Sequence, residues 1–127
     1  MIKEFSIETG KRIEMINITS RIEKEIKGVK EGRVTVFVPH TTAGITINEN
    51  ADPAVVDDIE RKMSEIVPEH GDYSHSEGNS DSHIKSSIIG PSLTLIVKNG
   101  KLLLGTWQSV YFCEFDGPRE RKYIIQF

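Results

Sequence analysis

The sequence lacks the features that mark secreted and membrane proteins. Cys113 is its single cysteine, so no disulfide can form within the chain. The residues after Met1, IKEFSIETGK, lack the apolar core of a secretory signal. The longest apolar runs, such as LTLIV and LLL, are far shorter than the roughly 20 residues that a membrane-spanning helix requires. We therefore expect a soluble protein of the reducing cytoplasm.

An excess of one charge is also missing. Sixteen Lys and Arg residues stand against nineteen Asp and Glu residues, for a net charge of −3, and neither sign forms a long run. This balance argues against broad binding to nucleic acids or membrane surfaces, while leaving room for a local basic patch. The sequence has no internal repeat or linker, and its 127 residues fit one domain, residues 1–127.

The first half of the chain predicts strands and two helices. IKEFSIET and RIEMINIT alternate apolar and polar residues on either side of Gly10-Lys11, which is typical of a two-strand hairpin. Ser20 to Glu23 has the form of a capping box, which predicts a short helix that Gly28 ends. RVTVFVP predicts a central strand buried on both faces, and GITINE predicts a second strand at 44–49.

A longer helix should follow, because Asp52 can cap it and Pro53 suits its first turn. Its apolar residues form one helical stripe: Val55, Val56, Ile59, Met63, Ile66 and Val67. Pro68 should end this helix, since proline cannot continue one.

The C-terminal part predicts a β-meander. HIKSSII indicates a short helical piece, after which SLTLIVK and KLLLG flank the hairpin dipeptide Asn99-Gly100. WQSVYFCEF and RERKYIIQF flank a second turn, Asp116-Gly117. Six or more strands with two or three helices, mostly segregated in the sequence, predict an α+β fold with a compact, antiparallel-rich β-sandwich or sheet.

Three of the four histidines lie in one polar segment, HGDYSHSEGNSDSHIK, at residues 70–85. Neutral imidazoles and carboxylates together suit a divalent transition metal. The spacing matches no standard motif: H-E-x-x-H is absent, and an EF-hand loop beginning at Asp72 would need glycine where Glu77 stands. A metal site and a solvated surface loop are both consistent with this segment.

His40 lies just beyond the apolar strand, where Thr41, Thr42 and Gly44 would allow a ligand to approach. The alternative is a histidine that is merely hydrogen-bonded at a strand end, with threonines that favour β-structure. The segment EFDGPRERK adds Arg119, Arg121 and Lys122, whose charges suit phosphate. Charges beside a turn more often face water, however.

Cys113 and Trp107 are interpreted as core residues. A lone cysteine within a strand is more often a small buried hydrophobe than a nucleophile. Trp107 is likewise more typical of a core side chain than of a stacking platform.

Three blocks of the chain together resemble the YjbQ family, whose members carry the name secondary thiamine-phosphate synthase. They are FVPHTTAGITINENADP, HGDYSHSEGNSDSHIKSSIIGPSLTLIV and GTWQSVYFCEFDGPRERK, and the likeness runs from about residue 5 to the end. The resemblance implies a compact α+β sandwich, a homotrimer, and a polar cleft at or near the subunit boundary. His70 is not among the family's signature positions, which fall on His40, Thr41, Thr42, Glu49, Asn50, His75, Glu77, Asn79, Asp81, His83, Trp107, Gln108, Asp116 and Arg119.

The activity that the resemblance implies joins a pyrimidine carbinol diphosphate to a thiazole phosphate and releases diphosphate. We expect the catalytic residues to be His40, Glu49, His75, Asp81, His83 and Arg119. We expect the substrate to be bound by Thr41, Thr42, Asn50, Asn79, Gln108 and Arg119. His40, His75 and His83 are expected to converge, either on a divalent metal, zinc or magnesium, or as acid and base.

Two other functions use the same residues. One is a metal-assisted hydrolase of a small phosphorylated or acylated metabolite. The other is a non-catalytic trimeric module that binds a small anion. All three take a small molecule as partner, and none involves nucleic acid or a membrane.

Overall fold

Two antiparallel sheets and three helices make up the computed structural model, which describes residues 1–127. The sheets are packed around one main cluster of buried apolar side chains, which includes Val34, Val36, Ile45 and Phe112. In chain order the elements are β1 Ile2–Glu8, β2 Glu14–Asn17, α1 Thr19–Glu25, β3 Glu31–Phe37, β4 Ala43–Glu49, α2 Pro53–Ile66, α3 Ser80–Ile89, β5 Ser92–Lys98, β6 Lys101–Leu102, β7 Gln108–Glu114 and β8 Glu120–Gln126. The α+β class predicted from the sequence is confirmed.

One sheet has five strands in the order β1-β8-β3-β5-β6, and the other has three in the order β2-β7-β4. All pairs are antiparallel, as expected for a sheet built without βαβ crossovers. The hairpin at Asn99-Gly100 is confirmed: both residues have positive φ, 53° and 74°, as such a tight turn requires. None of the helices is long and apolar enough to cross a membrane.

The predicted N-terminal hairpin and the C-terminal meander are wrong. β1 pairs with β8, whereas β2 pairs with β7 in the other sheet, so the chain crosses between sheets at residues 10–12. β7 and β8 also lie in different sheets, so the turn at Asp116-Gly117 is a second crossing. The two crossings contact each other, since the Gly117 N–H donates to the Arg12 carbonyl at 3.0 Å. Alternation identifies the buried face of a strand but not its partner.

The predicted capping box at Ser20 is also wrong. The first helix begins at Thr19, its N-cap position is Ile18, and no side chain caps it. Instead, the Asn17 Oδ1 accepts from the backbone N–H and the hydroxyl of Thr19, at 3.0 and 2.7 Å. β3 is central but is not buried on both faces, because Val34 and Val36 point inward while Phe37 is 42% exposed.

The predicted long helix is confirmed as α2. Asp52 occupies its N-cap and accepts from the Ala54 N–H at 2.9 Å, and Pro53 opens the first turn. The apolar stripe is only half-buried, and Ile66 at its end is exposed. This helix therefore covers the edge of the three-stranded sheet without forming part of the main core.

The short helical piece predicted near residue 83 is the ten-residue helix α3, which packs against β4. The Ser86 hydroxyl donates to the Ala43 carbonyl at 2.7 Å, and the Ile45 N–H donates to the Gly90 carbonyl at 3.0 Å. The contact is close at Gly44, where a Cβ would lie 2.8 Å from the Gly90 oxygen. This packing places the first turn of α3 next to the end of β7 and the loop before β4.

Candidate functional site

A cavity of about 470 Å³ lies where three distant parts of the chain meet, and we call it the polar pocket. Its size is that of a typical small-molecule site. The parts are the loop between β3 and β4, the start of α3 with the segment before it, and the turn from β7 to β8. Its lining contains no hydrophobic residue: Pro39, His40, Thr41, Thr42, His75, Glu77, Asn79, His83, Asp116, Arg119 and Arg121.

His40 lies in the wall of this pocket and is held by the backbone of β8. Its Nε2 accepts from the Lys122 N–H at 2.9 Å. Burial lowers the pKa of His40, and the nearby positive charge of Arg121 lowers it further. The ring is therefore neutral at pH 7, and because Nε2 is an acceptor, its proton is on Nδ1. His40 thus offers a hydrogen-bond donor to a ligand.

Arg121 forms a buried ion pair with Glu114, whose side chain is wholly buried. Its guanidinium also donates to the Thr42 hydroxyl at 2.8 Å, and the Thr9 hydroxyl donates to the Glu114 carboxylate at 2.7 Å. Burial alone would raise the pKa of Glu114, but the hydrogen bonds from Arg121 and Thr9 outweigh it and the pKa is lowered. The expectation that charges beside this turn face water is therefore wrong for Arg121.

Arg119 differs from Arg121, because its side chain is 53% exposed. It donates from Nε to the Asp116 carbonyl at 2.7 Å and from one terminal nitrogen to the Asp116 carboxylate at 2.9 Å. A guanidinium has five N–H groups, so two of five are used and three remain. Arg119 is thus both oriented and available to an anion.

Asn79 connects the two sides of the pocket. Its Nδ2 donates to the Asp116 carboxylate at 2.9 Å. Its Oδ1 is buried and is the one buried side-chain polar atom in the protein without a hydrogen-bond partner. Leaving such an acceptor unpaired costs about 1–3 kcal/mol, which a donor on a ligand would offset.

His75 and His83 face the arginines across the pocket. Their ring centroids are 5.4 Å apart and nearly perpendicular, and Glu77 lies 3.8 Å from His75. No group of three or more His, Cys, Asp or Glu side chains is arranged to hold a metal ion. The predicted ligand set of His40, His75 and His83 is therefore not assembled within one chain. The Nε2 of His40 already accepts a hydrogen bond from the Lys122 N–H. His70, with a side chain 93% exposed, does not line the pocket, as expected.

Seven of the predicted site residues do line the pocket: His40, Thr41, Thr42, His75, Asn79, His83 and Arg119. Asp81 does not, because its side chain, in the first turn of α3, is fully buried. There it accepts two hydrogen bonds from Arg12, at 3.0 and 3.1 Å, and one from Lys85 at 2.9 Å. Burial would raise the pKa of Asp81, but these bonds together lower it. Its role in the structure is to anchor the first turn of α3.

Glu49, Asn50 and Gln108 also lie away from the pocket, at the opposite end of the three-stranded sheet. Glu49 pairs with Gln108, and Asn50 donates its backbone N–H to the Trp107 carbonyl at 3.0 Å. The interpretation of Trp107 as a core residue is wrong, because it is 63% exposed. Within one chain these residues belong to a separate surface.

Sequence reasoning named Arg121 as a charge suited to phosphate but missed its burial, and it missed Glu114 entirely, although a signal for the burial of Arg121 was present. In β8, Arg121, Tyr123 and Ile125 alternate along the strand and all three are buried. The period of two therefore places Arg121 on the inner face. Cys113 is 1% exposed, and burial raises its pKa to about 12, so its interpretation as a small buried hydrophobe is confirmed.

The family described as UPF0047 protein YjbQ-like matches residues 3–127. The chain is 52% identical to the UPF0047 protein MJ1081 of Methanocaldococcus jannaschii, over 99% of this chain and 93% of that one. It is 52% identical to YugU of Bacillus subtilis, over 99% and 98%. A crystal structure of a YjbQ/UPF0047 family protein from Clostridium acetobutylicum has a TM-score of 0.95 at 52% identity, covering 98% of both chains. The conserved hypothetical protein TT1486 from Thermus thermophilus has a TM-score of 0.93 at 40% identity, also over 98% of both chains.

Proposed function

The chain belongs to the YjbQ family, and we propose that it is a transferase of the thiamine-phosphate synthase type, with the polar pocket as its active site. In this proposal a pyrimidine carbinol diphosphate and a thiazole phosphate are joined and diphosphate is released. The observation that carries the proposal is the pairing of Arg119, which has N–H groups free, with the neutral His40 donor in a pocket without apolar lining.

The reaction determines what the residues must do. The carbon–oxygen bond to diphosphate breaks, the oxygen keeps the electron pair, and the thiazole ring nitrogen forms the new bond to that carbon. A ring nitrogen with a free lone pair has no proton to lose, so the step needs no general base. It needs donors that stabilise the negative charge on the departing diphosphate.

The pocket has such donors on two sides. Arg119 would bind diphosphate oxygens through its free N–H groups, and His40 would donate from Nδ1. His75 and His83 also line the pocket, and each has a ring N–H that would donate to the same group. Asn79 would hold Asp116, and through it Arg119, in place by donating to the Asp116 carboxylate.

A divalent metal, zinc or magnesium, stays a prediction from the sequence. The side chains of one chain do not form a site of three ligands, so no step of the proposal depends on a metal. Metal content of the purified protein, measured by mass spectrometry with and without chelator treatment, tests the prediction. A stoichiometric transition metal that is lost in His75→Ala would support it, and a metal-free protein that retains activity would overturn it.

The proposal includes the homotrimer that the family resemblance implies. Exposed apolar side chains at the edge of the five-stranded sheet, Ile96 in β5 and Leu103 just after β6, support association, because burial would remove them from water. Glu49 lies six residues along β4 from Ala43, or about 20 Å, so a neighbouring chain would have to bring it to the pocket. Light scattering should give three times the chain mass of 14.3 kDa, and a single-chain mass would contradict the trimer.

The decisive experiment incubates the purified protein with both substrates and measures thiamine phosphate and diphosphate together. We expect equal amounts of the two products. We also expect Arg119→Ala to reduce the rate at least about a hundredfold, since one donor to developing charge contributes roughly 10²–10³. His70→Ala is the matched control, because its side chain is exposed and outside the pocket, and it should keep the full rate.

The products also separate the other two functions. Diphosphate or phosphate released without thiamine phosphate would indicate a hydrolase. Tight binding of the diphosphate without turnover would indicate a binding module. Either result would overturn the transferase proposal.

A further inference from the structure

A second recess shares the His75 and His83 side chains with the polar pocket. Its volume is about 440 Å³, within the range of small-molecule sites. We call it the Tyr73 recess. Every residue of its lining comes from segment 72–84, and the two histidines are its only signature positions: Asp72, Tyr73, Ser74, His75, Ser80, His83 and Ile84.

The two cavities differ in chemistry. The polar pocket has no hydrophobic lining, whereas the Tyr73 recess has an aromatic ring and the half-exposed Ile84 in its wall. It contains no arginine or lysine, so an anionic group has no cationic partner there apart from the shared histidines. The hydroxyls of Ser74 and Ser80 can bond polar atoms at the edge of a ring.

The Tyr73 ring is held in place at two points. Its hydroxyl donates to the Pro68 carbonyl at 2.6 Å. Its ring packs against Gly71, where a Cβ would lie 3.2 Å from two ring carbons. A side chain oriented in this way loses little conformational freedom when a flat ligand packs against it.

We propose that the Tyr73 recess binds the uncharged planar ring of the substrate whose diphosphate occupies the polar pocket. The bond between the ring methylene and the diphosphate then lies beside His75 and His83, which both cavities share. This proposal rests on the proposed function and adds the site that recognises the ring.

Calorimetric titration with three probes tests the assignment. The probes are inorganic diphosphate, the unphosphorylated pyrimidine carbinol, and the pyrimidine carbinol diphosphate that joins them. For the unaltered protein we expect the joined probe to bind at least about tenfold more tightly than inorganic diphosphate, because burying a ring removes apolar surface from water.

Two pairs of variants should separate the cavities. Tyr73→Ala and Ile84→Ala should weaken the joined probe about tenfold while leaving the Kd for inorganic diphosphate within about twofold. Arg119→Ala should weaken the binding of inorganic diphosphate and of the joined probe. His70→Ala should leave the Kd of every probe unchanged. Ile84→Ala should fold normally, because alanine favours the helix and Ile84 lies on the exposed side of α3. A change in its ligand binding would therefore not result from misfolding.

Each outcome decides a different point. If the ring adds no affinity, or if Ile84→Ala weakens inorganic diphosphate as much as the joined probe, the ring site is overturned while the anion site stands. If no probe binds to the unaltered protein, the proposed function is overturned and the ring site with it. Tighter binding of the joined probe than of inorganic diphosphate, without turnover when the thiazole phosphate is added, would overturn the transferase reaction and leave the ring site supported.

Discussion

The two walls of the polar pocket are built differently. We call Asp116, Arg119 and Arg121 the arginine wall, and His75, Glu77 and His83 the histidine wall. Behind the arginine wall lies the fully buried Glu114, whereas in the histidine wall the side chains of His75 and Glu77 are 44% and 70% exposed. In the arginine wall the charge of Arg121 is fixed by the folded core, whereas Arg119 is 53% exposed. In the histidine wall the side chains of His75 and Glu77 are in contact with solvent.

This difference shows which polar residues of the pocket stabilise the fold. Arg121 and Glu114 sit between the two sheets, so each needs the other to offset the cost of leaving water. His75 lies 3.8 Å from Glu77 and packs edge-on against His83, but it makes no short hydrogen bond, so the fold depends little on it. The hydrogen bond from Asn79 to Asp116 links the two walls. We therefore expect loss of the Arg121–Glu114 pair to affect stability, and changes at the exposed Arg119 or in the histidine wall to affect function.

Glu114→Ala should produce the largest effect. It leaves the Arg121 guanidinium buried without its carboxylate, and breaking a buried pair in this way costs about 3–5 kcal/mol. Urea denaturation followed by circular dichroism would measure the loss of unfolding free energy. Glu4→Ala is the control, because Glu4 pairs with Lys122 on the surface and should contribute less than about 1 kcal/mol. Equal losses for the two variants would show that the arginine wall is no more rigid than the surface.

Lowering the pH should have an intermediate effect on stability, because it protonates the buried carboxylates of Glu114 and Asp81. The pKa values of Glu114 and Asp81 are lowered from 4.5 and 3.8, so the unfolded chain takes up protons first as the pH falls. Their contribution to stability is therefore complete above these ordinary values and is lost as the pH falls through the lowered ones. Unfolding free energy measured from pH 7 to pH 2 should fall steeply below about pH 4.5.

Asp81→Asn sharpens this experiment. It removes one of the two lowered carboxylates, so the decline of unfolding free energy between about pH 4 and pH 2 should be shallower than in the unaltered protein, with lower stability at pH 7. An unchanged slope would mean that Asp81 gains nothing from Arg12 and Lys85, against the observed hydrogen bonds.

His75→Ala should produce the smallest effect on stability. Its side chain is part-exposed and makes no close bond, so the unfolding free energy should change by no more than about 0.5 kcal/mol. The same variant should lose synthase activity if the proposed function is correct. A loss of stability as large as that of Glu114→Ala would remove the distinction between the two walls.

Local chemistry made some elements predictable. Helix α2 was predicted from Asp52, Pro53 and an apolar stripe, all within one short segment. The β5–β6 hairpin was predicted from Asn99-Gly100, because few other residues adopt two successive positive φ angles. Seven pocket residues were predicted through three family blocks, although no spacing rule would have brought His40 to His83.

Strand pairing was not predictable in the same way. β1 and β2 are separated by a short turn and were interpreted as partners, yet each pairs with a strand from the C-terminal part of the chain. The positions of Asp81 and Glu49 relative to the pocket were not predictable either. Both carry carboxylates that would suit a catalytic site. Only the fold shows that Asp81 accepts hydrogen bonds from Arg12 and Lys85, and that Glu49 lies at the far end of β4.

The sequence by itself determined the fold class, the helix α2, the turn at Asn99-Gly100, and the family. These follow from interactions over a few residues or from motif blocks read directly along the chain. The tertiary structure alone decided that Arg121 is buried with Glu114, that His40 is a neutral donor, and that segment 72–84 borders two cavities. The physical reason is that charge state and cavity shape depend on which distant segments pack together, and here residues 39–42, 75–83 and 116–121 meet only through the two sheets.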